Sequence, residues 1–169
     1  RSMSPVVILS EGFLANSSEP WRIPDPEAIA EISAPFAAGI EGNGNGAFLP
    51  YKRDPDTLAR PWAVPGTKGM EHRIGGLEKE HETGNVSYDP ENHEFMVKLR
   101  QEKIDKVGER IADVQIERGP ESGDVLVLGW GSTYGSIKKA VEVLLEDGIA
   151  VSQAHVKHLN PFPKNLGEV

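Results

Sequence analysis

Apolar residues in this chain concentrate towards its two ends, and each concentration predicts part of an α/β layer. Pro5-Val6-Val7-Ile8-Leu9-Ser10 is continuous rather than alternating, the pattern of a strand buried on both faces, as in a parallel sheet. Nothing close to it in sequence supplies a pairing strand or a cover. From about Ser17 to Asn92 the chain is polar, rich in Gly and Pro, and nearly without periodicity. A coil of that length counts against an autonomous compact domain. Pro20, Pro24, Pro26, Pro35, Pro50, Pro55, Pro61 and Pro65 each remove a backbone donor and restrict the preceding residue, which disfavours long helices and central strands. Asp25-Pro26-Glu27 opens one short helix through about Ile32. Gly42-Asn43-Gly44-Asn45-Gly46 reads as a flexible turn or an exposed loop tip.

Periodicity returns at Asp89-Pro90-Glu91, a helix start. Met96, Leu99, Ile104, Val107, Ile111 and Val114 then recur at spacings of three to five, predicting one long helix over about 90–115 that Gly108 weakens without ending. On its polar side Glu102 and Lys106 form a favourable i,i+4 pair and Lys106 and Arg110 an unfavourable one, so its charges read as a solvated face. Gly119-Pro120-Glu121-Ser122-Gly123 breaks the chain. Asp124 to Gly129 predicts a buried strand, and a Gly/Ser/Thr turn runs to Gly135. Ile137, Ala140, Val141, Leu144 and Leu145 mark one helix face that stops at Gly148. Ile149 to Val156 predicts a second strand, parallel to the first through a right-handed crossover. Two strands and one helix cannot cover both faces of a sheet. The fold class expected is therefore α/β, with incomplete parallel-sheet layers at each end joined by a long irregular connector.

Composition sharpens this picture at three points. The hydrophobic share of 38% lies below the usual roughly 45–50% for globular chains, which also counts Gly. A net charge of -8 argues against a nucleic-acid partner and fits a soluble cytoplasmic protein. Zero cysteines among the 169 residues exclude disulfides and thiolate-held iron–sulfur clusters in this chain. No apolar run reaches the roughly 20 residues that span a bilayer, and no secretory apolar core follows the N-terminus, so no membrane partner is expected. Arg1-Ser2 reads as a remnant or a cut point.

Four constellations are candidates for chemistry. Gly129-Trp130-Gly131-Ser132-Thr133-Tyr134-Gly135 follows a strand and opens a helix, where amide donors suit an anion. Its spacing matches neither the dinucleotide fingerprint nor a Walker loop, and tight turning with close helix–strand packing already accounts for the glycines. His72, His81 and His93, amid Glu71, Glu78, Glu82, Glu91 and Glu94, raise a metal-dependent hydrolase as the alternative function, although no pair has the i,i+4 zinc-protease spacing. His155 and His158 flank a strand end. No Gly-x-Ser-x-Gly elbow is present, and without cysteine only isolated serines remain as nucleophiles. Trp21, Arg60, Trp62, His72 and Arg73, on a proline-studded coil, are candidate anchors of an inter-subunit interface.

Taken together, Val7-Ile8-Leu9-Ser10-Glu11-Gly12-Phe13-Leu14-Ala15-Asn16-Ser17, Arg60-Pro61-Trp62-Ala63, Glu71-His72-Arg73-Ile74-Gly75-Gly76-Leu77-Glu78-Lys79, Thr83-Gly84-Asn85-Val86-Ser87, Glu91-Asn92-His93, the Gly129–Gly135 turn and His158-Leu159-Asn160-Pro161-Phe162-Pro163 resemble the alpha subunit of 2-oxoacid:ferredoxin oxidoreductases, most closely the 2-oxoglutarate type. The resemblance covers almost the whole chain in the family's order. It implies that residues 1–19 are the last strand region of a thiamine-pyrimidine-type domain. Residues 20–118 would be a connector carrying the long helix. Residues 124–169 would be the opening βαβ unit of a domain similar to the C-terminal domain of transketolase. The family decarboxylates a 2-oxoacid with thiamine diphosphate, forms an acyl-coenzyme A and passes electrons to ferredoxin. Its cofactor-activating glutamate and its Tyr-Pro-Ile-Thr-Pro substrate motif lie upstream of Arg1, and no position here matches them. Thiamine diphosphate, magnesium and the iron–sulfur cluster belong to the beta subunit in that family. The resemblance thus implies no catalytic, cofactor or metal residue in this segment. It implies a structural and assembly role, with the beta subunit and a second alpha subunit as partners, and with ferredoxin and coenzyme A reached through the complex.

Overall fold

Asp89 stops the irregular chain and starts its longest element: its Oδ1 accepts the Glu91 amide at 3.1 Å and its carbonyl accepts the His93 amide at 3.0 Å. Helix α2 (Pro90–Gly108) follows; the shorter helices are α1 (Gly12–Asn16) and α3 (Tyr134–Glu146). Strands β1 (Ile116–Arg118), β2 (Val125–Trp130) and β3 (Val151–Val156) complete the regular structure. The computed structural model describes residues 2–32, 34, 36–37 and 46–169. The Gly/Asn-rich tip predicted at 42–46 lies outside the described residues except for Gly46, as does Pro35.

The chain divides into two compact units. The first comprises residues 1–5 and 23–106, the second residues 6–22 and 107–169.

In the first unit, α2 turns Met96 and Leu99 inward, where both are buried, as the periodicity predicts. The loops around it are held by side chains rather than by strands. Asn92, from α2, accepts the His81 amide at 3.0 Å and donates to the Lys79 carbonyl at 2.9 Å, clamping the 79–86 loop to the helix. That loop closes on an isolated antiparallel bridge between Lys79 and Val86. Gly84, at φ +71°, lies so close to Tyr51 and Pro50 that a Cβ there would sit 2.7 Å from the proline ring. Asp25 caps a single 3₁₀ turn at Pro26–Ala28 through the Glu27 amide. The helix expected to reach Ile32 stops there, because the chain turns extended at Ile29.

The second unit holds a three-stranded sheet in the order β1-β3-β2. β2 and β3 are parallel, Val125 opposite Val151 through Trp130 opposite Val156, with α3 between them in sequence. β1 pairs antiparallel to β3, so the sheet is mixed and not the purely parallel layer expected. Three residues, Ile-Glu-Arg, are too short to carry a pattern of their own. The core gathers Val114, Ala154 and Val156 against Ile116, Leu159, Leu166 and Val169. Asn165 ties in the preceding chain by donating to the Val114 carbonyl at 2.8 Å and accepting its amide at 2.9 Å. α3 ends at the C-terminal glycine expected at Gly148 (φ +79°), in a two-bond cap: the Gly148 amide reaches the Leu145 carbonyl and the Ile149 amide the Leu144 carbonyl, each at 3.0 Å.

Three expectations are corrected. Gly108 ends α2, where the long helix was expected to run on to residue 115; a Cβ there would approach Pro161 to 3.3 Å. Val6 to Leu9 forms no strand among the described residues and is exposed, at 84%, 81%, 87% and 64% in order; the run is followed by α1, capped by the Glu11 carboxylate. β2 is a strand as expected but not a buried one. β3 covers one of its edges, and Val125, Leu126, Leu128 and Trp130 remain exposed.

A candidate anion-binding cleft

The turn at residues 54–57 is built by one aspartate. Asp54 Oδ1 accepts the Thr57 amide and hydroxyl, each at 2.8 Å, and the Asp56 amide at 3.1 Å. The Asp54 amide in turn reaches the Ala59 carbonyl at 2.8 Å. Closing this loop brings Arg53 and Arg60, seven residues apart, onto the same tyrosine. Their guanidinium carbons lie 5.5 Å and 4.5 Å from the Tyr51 ring centroid.

These residues form one wall of a cleft of about 440 Å³. Residues Gly76 to Lys79 form a second wall, and α2 the third through Met96, Leu99, Arg100 and Lys103. Among the described residues, five cationic side chains line the cleft (Arg53, Arg60, Lys79, Arg100 and Lys103) against one carboxylate, Glu78. That carboxylate is already engaged. Arg100 meets it with two bonds of 3.1 and 3.3 Å, and His93 Nδ1 donates to it at 2.7 Å. Chiefly through the Arg100 bonds, its pKa is held down at about 2.

The other cations donate mainly to carbonyls. Arg53 donates to the Tyr51 carbonyl at 2.9 Å and to His81 Nδ1 at 3.3 Å. Arginine can only donate, so His81 accepts through Nδ1 and carries any single proton on Nε2. Arg60 donates to the Pro50 carbonyl at 3.2 Å, and Lys103 to the Met3 carbonyl at 2.9 Å. Lys79, only 4% exposed, sends its ammonium to the Leu77 and Gly75 carbonyls at 2.7 and 3.2 Å. Burial first, and then the neighbouring Arg60, lower the Arg53 pKa; burial first, and then Arg53 and Arg60, lower that of Lys103. In a chain of net charge -8, the cleft lining is locally rich in positive charge.

Comparison with known proteins gives the chain its kinship. No family model matches it. It is 49% identical over 166 residues, 98% of its length, to 2-oxoglutarate oxidoreductase subunit KorA of Mycobacterium tuberculosis. It is 30% identical over 166 residues to the alpha subunit of 2-oxoacid:ferredoxin oxidoreductase 1 of Aeropyrum pernix. The chain is homologous to the alpha subunits of 2-oxoacid:ferredoxin oxidoreductases. It spans about a quarter of these two relatives' length, 24% and 25%. Among solved structures it is similar to a 2-oxoglutarate:ferredoxin oxidoreductase from Magnetococcus marinus determined with 2-oxoglutarate, coenzyme A and succinyl-CoA bound. The two share 31% identity and a TM-score of 0.68, over 83% of this chain and 23% of that one.

Of the five anchors proposed from sequence, only Arg60 lines the cleft. Trp21 belongs to the second unit and is 86% exposed. Trp62 is half-exposed, in an isolated parallel bridge with Phe36. His72 donates through Nδ1 to the Met70 carbonyl at 2.8 Å and meets Phe48 edge to face. Arg73 is exposed. The histidines of the hydrolase alternative do not converge. His72 turns to a carbonyl, His81 to Arg53 and Phe95, and His93 to Glu78. No group of three or more His, Asp or Glu among the described residues is arranged to hold a metal ion, and the homology supports no such enzyme.

Sequence reasoning missed Tyr51, Arg53, Arg100 and Lys103. The charges of α2 are not merely a solvated face, because Arg100 and Lys103 turn towards the cleft. The i,i+4 pair that forms on this helix is Glu94–Lys98 at 2.6 Å, not Glu102–Lys106. Arg100 and Lys103, three apart on a helix, were the available signal.

The glycines of the Gly129–Gly135 turn have a structural use. A Cβ on Gly129 would sit 2.4 Å from Ile137 Cδ1, so the glycine lets α3 close on β2, and Gly131 adopts φ +61°.

Proposed function

We propose that this chain serves as a structural and assembly portion of the alpha subunit of a thiamine-diphosphate-dependent 2-oxoacid:ferredoxin oxidoreductase that forms an acyl-coenzyme A from 2-oxoglutarate. Homology supports the reaction class, and the relatives named for 2-oxoglutarate support the substrate. One structural observation carries the assembly role. The Val6–Leu9 run and the outer edge of β2, both apolar, have no covering strand among the described residues. Residues 1–19 would then complete a pyrimidine-type domain, residues 20–118 connect it, and residues 124–169 open a transketolase-C-like domain. Both end segments would need further polypeptide to complete their layers.

The beta subunit and a second alpha subunit are the partners this reading implies, with ferredoxin as electron acceptor. Trp21, Arg60, Trp62, His72 and Arg73 are proposed to contribute to those contacts. Thiamine diphosphate and magnesium would be held by the beta subunit. The iron–sulfur cluster would also lie there; this chain has no cysteine to offer it a thiolate. No described helix is long and apolar enough to cross a membrane, and the cytoplasm is the proposed location.

The test is an assay of 2-oxoglutarate- and coenzyme A-dependent reduction of ferredoxin or a viologen dye, with thiamine diphosphate and magnesium supplied. This polypeptide alone is expected to give no turnover. The same residues carried within a full-length alpha subunit, co-expressed with beta, are expected to give it. Turnover by the isolated chain would refute the assembly role, and an inactive full-length complex would refute the reaction.

A further inference from the structure

We propose that the cleft of the first unit binds a phosphate group carrying two or more negative charges, seated among Arg53, Arg60 and Lys103. Three observations lead to it, and none depends on the oxidoreductase reading.

The first is charge. Among the described residues Arg53, Arg60, Lys79 and Lys103 enter no ion pair, while Glu78, the one carboxylate on the wall, is committed to Arg100 and His93. Glu82 acts on Arg53 electrostatically and stands 3.8 Å from His81. Like charges held together in a partly buried site repel, and the arrangement is costly unless an anion joins them. A single carboxylate would leave most of that excess in place. A dianion or a diphosphate removes it.

The second is donor supply. Each guanidinium carries five N–H donors in a planar fork, suited to two oxygens of one phosphate. Among the described residues, Arg60 bonds the Pro50 carbonyl alone and Lys103 the Met3 carbonyl alone. Arg53 uses bonds to Tyr51 and His81 and a weak one to the Met96 sulfur at 3.8 Å. Most donors on Arg60 and Lys103 therefore remain for a ligand.

The third is rigidity. Arg53 and Arg60 are pinned on one tyrosine ring, which is itself packed against Gly84, where no larger residue fits. Lys79 is buried on the cleft wall with its side-chain nitrogen fixed by two carbonyls. A site that has already lost its side-chain freedom spends less on binding. Burial and mutual repulsion depress Arg53 and Lys103 in the direction an incoming anion would reverse.

The experiment is titration calorimetry of the full 169-residue chain with inorganic phosphate, inorganic pyrophosphate, adenosine 5′-diphosphate and glutarate. Phosphate or pyrophosphate is expected to bind at one site. Arg60→Met and Lys103→Met, which keep the stems, are each expected to weaken binding at least roughly tenfold. Lys52→Ala removes the same charge from an exposed position outside the cleft and is expected to change binding less than about twofold. Circular dichroism checks that each variant folds; if one substitution unfolds the chain, the other still decides. Phosphate binding as tightly as the diphosphates identifies a free phosphate ligand. Tighter binding of pyrophosphate and adenosine diphosphate identifies the diphosphate of a larger molecule. The proposal is overturned by absence of heat with every phosphate, by glutarate binding more tightly than pyrophosphate, or by Lys52→Ala matching the cleft variants.

Discussion

Glu78 is a residue whose charge state bears on the first unit. Its carboxylate is three-quarters shielded and holds Arg100 on α2 and His93 one helical stretch earlier, so it joins the 76–79 loop to the helix at two points. A folded-state pKa of about 2, against an ordinary 4.5, means that the folded state favours the ionised form. The stabilisation this provides is full above pH 4.5 and is lost as pH falls towards 2. Because Arg100 is half-exposed, solvent screening limits the contribution to about 1 kcal/mol. Glu78→Gln is expected to lower stability by that amount at pH 7. Urea unfolding curves of the two proteins, compared from pH 7 down to pH 2, should converge as the wild-type carboxylate takes up its proton. A gap that stays constant with pH would mean the side chain acts by packing alone.

At the scale of elements, the glycines around the sheet set how closely its parts approach, and two of them differ in a way that can be measured. At Gly129 an added Cβ meets the end of the Ile137 side chain at 2.4 Å, and that side chain can shift. At Gly119 it meets the Val151 carbonyl oxygen at 2.3 Å and the Ser152 Cα at 2.8 Å, both backbone of β3, and φ is +90°. Gly119→Ala therefore combines steric conflict with left-handed strain and is expected to cost more than about 3 kcal/mol, against about 1–2 kcal/mol for Gly129→Ala. Chemical denaturation of both variants tests the order; equal losses would show that the β1–β3 junction yields as easily as a side chain. The same contrast explains what could be read from sequence. β2, α3, β3 and the Gly148 cap were legible because each has local periodicity or a turn residue that acts on its own neighbours. Gly119 was legible as a break, but not as the place where chain returns to pair with β3. The short β1 was invisible for the same reason, since its three residues are ordered by the partner strand and not by their own pattern. In the cleft, Arg60 was noticed for its proximity to Trp62. Arg53, Arg100 and Lys103 were not, because it takes the Asp54 turn and the Asn92 clamp to bring three distant segments together.

For the whole molecule, the deciding feature is apolar surface that folding of this chain does not remove from water. Val6, Val7 and Ile8 are more than four-fifths exposed, although their sequence is that of an interior strand. Burying one such side chain is worth about 1.5–3 kcal/mol, so three in a row supply a strong drive towards whatever polypeptide pairs with them. This leads to an unusual pair of expectations for Val7→Asp combined with Ile8→Glu. In the isolated chain the substitutions remove no buried contact, so stability should change by less than about 0.5 kcal/mol, while binding of a hydrophobic dye and concentration-dependent association should fall. If residues 1–19 complete a domain of the full-length alpha subunit as proposed, the same two charges would enter a sheet interior without partners, where each costs several kcal/mol, and the subunit should fail to accumulate in folded form. Thermal melts, dye fluorescence and sedimentation of the isolated chain cover the first arm, and soluble yield of the full-length subunit covers the second. Loss of folding in the isolated chain would mean that Val7 and Ile8 are already packed within it. Full tolerance in both settings would mean that the run is surface in the assembled enzyme as well, leaving only the β2 edge as a demand for a partner.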